Sequence, residues 1–142
     1  TFETRFDLII FHSFIIFYFY KSKKISKSNV AQNLFDYMFN DFENNLREMG
    51  FGDIAVNKKM KIFIKAFYGR ISEYSKSLDL YFSKKDKTLL KETILNNIYK
   101  GKINNSDVVE GFAEYMVKNI KEFNRKSEKE NIQNYFNFLN FY

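Results

Sequence analysis

Not one proline occurs in this 142-residue chain, and only five glycines do. Proline and glycine are the residues that end helices and build tight turns. A chain almost without them is held to long helices with short connections, and nothing in it reads as a low-complexity linker. Its length is that of one domain, enough to bury roughly 70% of the surface the unfolded chain exposes. Neither disulfide nor metal is needed to hold such a fold. The expected architecture is all-α, a single-domain bundle of about six helices over residues 1–142.

Apolar spacing places the helices. The first, from about Glu3 to Lys21, is apolar on nearly all sides, as befits a helix central to a bundle or covered by a partner or membrane. The second runs from Ser28 or Asn29 to Met49. Its stripe is Leu34, Phe35, Met38, Phe39, Phe42, Leu46 and Met49, with Gly50 as the expected C-terminal cap. Asp36, Glu43 and Arg47 lie opposite, Glu43 and Arg47 at a spacing that allows pairing. Asp41 flanks the stripe, where it is expected to reach a neighbouring helix.

A connector, Phe51 to Val56, leads to Asn57, the expected cap of a long third helix. The spine of that helix is Met60, Phe63, Ile64, Phe67, Ile71, Tyr74 and Leu78. Lys58, Lys61, Lys65 and Lys76 share a narrow arc beside the spine and form a basic ridge. Gly69, in mid-helix, reads either as a close approach of another backbone or as a tolerated surface glycine. The fourth helix, about Lys85 to Lys100, carries Leu89, Leu90, Ile94, Leu95 and Ile98 and stops at Gly101. Asp107 with Glu110 opens the fifth in the manner of a capping box, with Val109, Phe112, Met116, Ile120 and Phe123 as its core face. Ser127 with Glu130 signals a sixth, Glu128 to about Asn140, in a strongly aromatic C-terminal stretch.

The 18 Phe and 10 Tyr are explained mostly by a low-GC genome, and the remainder are expected on a partner-binding surface. A net charge of +6 favours anionic partners such as nucleic acid or acidic lipid. The apolar run Leu8–Tyr20 is shorter than the ~20 residues that span a bilayer, so a buried helix is expected. The Lys21–Lys27 stretch is read as a basic loop, either a solvated connector or an anionic contact, and Lys21–Ser28 offers no signal-peptide cleavage site. The start at Thr1 is read as that of a trimmed or processed chain.

Catalytic constellations do not emerge. The chain has no Cys, which removes thiol catalysis, Cys-ligated zinc and iron–sulfur clusters. With a single histidine it cannot supply the paired Glu-x-x-His motifs of a di-metal bundle. Gly50 and Gly52 lack the third glycine of a phosphate loop. His12, in an apolar helix, needs a hydrogen-bond partner, for which Asp41 or Tyr68 is the candidate. A haem-iron ligand is the sharper alternative reading. The basic ridge is either a solvated face or a contact for RNA or anionic lipid. No base-reading motif accompanies it, and DNA is not an expected partner.

The run Ala31-Gln-Asn-Leu-Phe-Asp-Tyr-Met-Phe-Asn-Asp-Phe-Glu-Asn-Asn-Leu-Arg-Glu-Met-Gly50 resembles the signature of the ubiquinol–cytochrome c chaperone family. It continues through Phe51–Met60 and Ala66-Phe-Tyr-Gly-Arg70, and Arg5–His12 is similar to the family's first core helix. The resemblance covers residues 1–78 well and the remainder by helix pattern, without the family's longer N-terminal part. It implies a cofactor-free assembly factor for respiratory complex III, not an enzyme. Such a factor binds newly made cytochrome b, with a small partner subunit and, in fungi, the ribosome near the tunnel exit. The implied location is the bacterial cytoplasm, peripheral to the inner membrane, or the mitochondrial matrix side. Matching positions are His12, Asp41, Arg47, Gly50, Lys58, Lys59, Phe67, Tyr68 and Arg70. With Lys61 and Lys65 of the ridge, and leaving out Gly50 and Phe67, these are the candidate partner-binding residues. The apolar docking patch is expected along the first helix or the aromatic C-terminus. A ribosome- or RNA-binding module using the ridge, and a lipid- or quinone-binding bundle, are the alternative functions.

Overall fold

The computed structural model describes residues 2–23, 28–98 and 106–127. Five helices account for them: α1 (Phe2–Lys23), α2 (Ser28–Glu48), α3 (Asp53–Lys84), α4 (Thr88–Ile98) and α5 (Ser106–Ser127). No strand occurs among the described residues. The sixth helix expected over residues 128–140 lies outside them, as do residues 24–27 of the basic loop.

Because α1 has no polar face, it can be satisfied only at the centre, and it packs against each of the four other helices. Phe6, Ile10, Phe11, Phe14, Ile15, Phe19 and Tyr20 are all buried there. Most of the patch expected along α1 is therefore covered by the molecule's own helices, with Leu8, Ile9, Ile16, Phe17 and Tyr18 left partly exposed. Consecutive helices pair in sequence, α2 with α3, α3 with α4 and α4 with α5. The core they enclose is largely aromatic. Phe11 lies edge-on to Tyr74 and Phe112, and Phe39 edge-on to Phe42 and Phe67.

The stop of α2 follows expectation. Gly50 adopts φ +97°, its N–H donates to the Arg47 carbonyl (3.0 Å), and the Phe51 N–H donates to the Leu46 carbonyl (3.2 Å). The start of α3 does not. Gly52 is the N-cap and the helix begins at Asp53, so the expected connector through Val56 is mostly helical and Asn57 caps nothing. Two forces pull the start forward. An acidic residue in the first turn suits the positive helix end, and Val56, fully buried, anchors a first turn closed by its N–H on the Gly52 carbonyl (2.9 Å). At the other end α3 runs on to Lys84 and stops where Lys85 turns left-handed (φ 57°), its N–H on the Tyr81 carbonyl. The fourth helix accordingly starts at Thr88, whose N–H donates to the Asp86 carboxylate (2.9 Å).

Gly69 sits on the exposed side of α3, and a Cβ there would meet nothing within 4 Å. It is the tolerated surface glycine, not a close-approach site. Gly69→Ala is expected to stabilise the fold by about 0.8 kcal/mol through helix propensity alone, read as a higher denaturation midpoint with an unchanged slope.

Candidate functional site

With one face of α3 committed to the spine, its opposite face is left to solvent. Ile54, Lys58, Lys61, Ile62, Lys65, Tyr68 and Lys76 are exposed there, Ile54 by 75%, Ile62 by 65% and Tyr68 by 59%. From Ile54 to Ser72 the sequence contains no carboxylate. Apolar side chains of this size standing in water are the informative exposures on a folded surface.

Beside this face α2 and α3 leave an open groove of about 340 Å³. Phe17 of α1 forms its base, Ala31, Gln32 and Phe35 line the α2 side, and Phe67, Tyr68 and Ile71 the α3 side. Its aromatic walls brace one another. Phe35 stacks on Tyr68 (centroids 5.8 Å, 27°) and meets Phe67 edge-on (5.4 Å), while Phe17 meets Phe67 edge-on from below (5.8 Å). Such a groove offers an apolar helix a preformed seat.

The expected site residues separate into three groups. Lys58, Lys61, Lys65 and Tyr68 share the exposed face of α3. Asp41, Arg47 and Lys59 lie on α2 or near the α2–α3 turn. Asp41 is exposed and accepts from Asn45 of its own helix (3.3 Å), so the expected reach to a neighbouring helix is absent among the described residues. Arg47 bonds Glu43 (3.3 Å), as its spacing foretold, and also Asp53, tying the end of α2 to the start of α3. The Lys59 ammonium sits 4.7 Å over the Phe51 ring.

The third group faces inward. His12 bonds neither Asp41 nor Tyr68, contrary to expectation. Its Nδ1 meets the Leu8 carbonyl at 2.9 Å and its Nε2 the Tyr115 hydroxyl at 3.0 Å. In the neutral ring Nδ1–H donates and Nε2 accepts, which ties α1 to α5. Burial pushes the Tyr115 hydroxyl pKa up. Arg70 reaches down to the buried Asp7 carboxylate and lies over the Phe6 ring. Lys21, expected in a basic loop, lies instead in the last turn of α1, which runs on to Lys23, and donates to Ser75 (3.3 Å).

Sequence reasoning missed the groove because it forms between helices, and it missed Ile54 because that residue was assigned to a connector. The signal was present in Ile54, Lys58 and Ile62, each four residues from the next. Among the described residues no group of His, Asp or Glu is arranged to hold a metal, and no helix is long and apolar enough to cross a membrane.

A model of the ubiquinol-cytochrome C chaperone family matches residues 1–138. The chain belongs to that family. The match takes in α4 and α5, beyond the part where the resemblance was legible residue by residue. No curated protein and no solved structure matches the chaperone.

Proposed function

We propose that this chaperone assists the assembly of respiratory complex III by holding newly made cytochrome b, and that the α2–α3 groove is where it does so. The observation that carries the reading is the open aromatic groove in a member of this family. A client built of apolar helices needs a seat that covers one face without enclosing it, and the mutually packed Phe35, Phe67 and Tyr68 walls offer that with little side-chain freedom left to lose. The function is one of binding rather than catalysis. Tyr68 is the proposed contact at the groove, while Lys58, Lys61 and Lys65 stand on the exposed face of α3 outside its lining. Arg47 and Lys59 shape the α2–α3 corner, Asp41 bonds only within α2 among the described residues, and His12 and Arg70 act by holding the helices in place.

The groove volume also falls in the range of small-molecule pockets, which favours a quinone or lipid tail as a second reading. Its open side argues for the helix, since pockets for small ligands bury most of the ligand surface.

The test is affinity capture of the whole protein from its own cells after in-cell crosslinking, with Tyr68→Glu as the comparison. Wild type is expected to recover cytochrome b. The variant, changed at an exposed position, is expected to recover it at least about tenfold less, equivalent to 1.4 kcal/mol of lost binding, while remaining folded. Equal recovery by both would remove the groove from client binding. A quinone or lipid co-purifying with wild type and not the variant, without cytochrome b, would establish the second reading. The same capture reports on a small partner subunit and on the ribosome.

A further inference from the structure

We propose that the exposed face of α3 between Ile54 and Lys65 is a docking surface for an anionic lipid bilayer. At 100° per residue Ile54, Lys58, Lys61, Ile62 and Lys65 fall within an arc of about 100°, along about 16 Å of helix. Lys58, Lys61 and Lys65 have no ion-pair or hydrogen-bond partner among the described residues, and no carboxylate lies on α3 between Ile54 and Ser72. The acid just before this stretch, Asp53, is taken by Arg47. The face therefore presents free cations to a negatively charged partner, and it presents two aliphatic side chains with them.

The isoleucines decide which polyanion fits. A single-stranded nucleic acid is gripped by aromatic platforms and arginines on which bases stack, and an exposed aliphatic chain gains little from a phosphate backbone. At a bilayer surface the same residues have complementary tasks. Ile54 and Ile62 enter the acyl boundary while the lysines extend their charged ends to the phosphates. Tyr68, at the edge of this arc, has the amphipathic character of residues that settle at the headgroup level. Ile54, Lys58, Lys61, Ile62 and Lys65 do not line the groove and only Tyr68 belongs to both, so the inference does not need the client reading.

The experiment is sedimentation of the whole protein with vesicles of phosphatidylcholine, with and without phosphatidylglycerol. Three proteins are compared: wild type, Lys58→Gln/Lys61→Gln/Lys65→Gln, and Ile54→Asn/Ile62→Asn. All five positions are exposed, and circular dichroism checks that each variant is folded. Wild type is expected to bind only the phosphatidylglycerol vesicles. The triple variant is expected to bind roughly a hundredfold more weakly, about fivefold for each lysine removed from an anionic surface. The isoleucine variant is expected to lose at least about tenfold although its charge is unchanged, because burying apolar side chains supplies the rest of the binding. Absence of wild-type binding overturns the proposal. So does an isoleucine variant that binds as wild type, since that would mark a generic polyanion site; binding of an RNA oligonucleotide in preference to vesicles overturns it likewise.

Discussion

Arg70→Ala is expected to destabilise the fold by about 3 kcal/mol, measured as a lower denaturant midpoint. Arg70 sits on the side of α3 facing α1, and its guanidinium pairs with Asp7, whose side chain is only 5% exposed. Removing the arginine takes the Arg70 charge away from a carboxylate held in the interior, and breaking a buried pair in that way costs about 3–5 kcal/mol. The lower end applies because Arg70 keeps 20% exposure, so water can approach the vacated site. Contact with the Phe6 ring is lost as well. The double variant Asp7→Leu/Arg70→Leu is expected to recover most of the loss, since it removes the buried charge together with its partner. A fall of less than about 1 kcal/mol for Arg70→Ala, the range of surface pairs, would mean that the pair does not lock α1 to α3.

Phe11→Ala is expected to cost about 4 kcal/mol. Phe11 has no exposed surface and lies where α1, α3 and α5 meet, edge-on to Tyr74 and Phe112 and stacked at 6.2 Å on Tyr115. Truncation there removes transfer energy and leaves a cavity that these rings, pinned by their own neighbours, can fill only in part. Against a total stability of roughly 5–15 kcal/mol this is a large fraction, visible as a drop in thermal midpoint of many degrees. The same change at the partly buried Phe112 is expected to cost less. Equal losses at the two positions would contradict the central placement of α1.

Local signals made the helices legible. Met38, Phe39, Phe42 and Leu46 are buried along α2 as their spacing requires, and Phe67, Tyr74 and Leu78 along α3. Gly50 ends α2 in the left-handed conformation that its position foretold. Met49 and Leu89 fit the same apolar periods, yet they stand 58% and 39% exposed, because a stripe near a helix end outruns the neighbour that would cover it. Pairings that join distant segments carry no local signal. His12 finds Tyr115 across 103 residues and Asp7 finds Arg70 across 63, while Tyr18 donates to Asp79 (2.7 Å) and Glu110 of α5 holds both Lys87 and Lys91. The candidate site divides along the same line. The lysine ridge was readable because it belongs to one helix. The groove was not, because Phe17, Phe35 and Phe67 come from three helices and each looks like an ordinary core residue in its own period.

That the α2–α3 groove holds cytochrome b is tested most directly by site-specific crosslinking in the protein's own cells. A photoreactive amino acid is placed at position 68, at the groove, with the exposed position 118 on α5 as the control. The expected result is a light-dependent adduct with cytochrome b from position 68 and none from position 118. An adduct from position 118 alone, or none from position 68 while cytochrome b is being made, would contradict it.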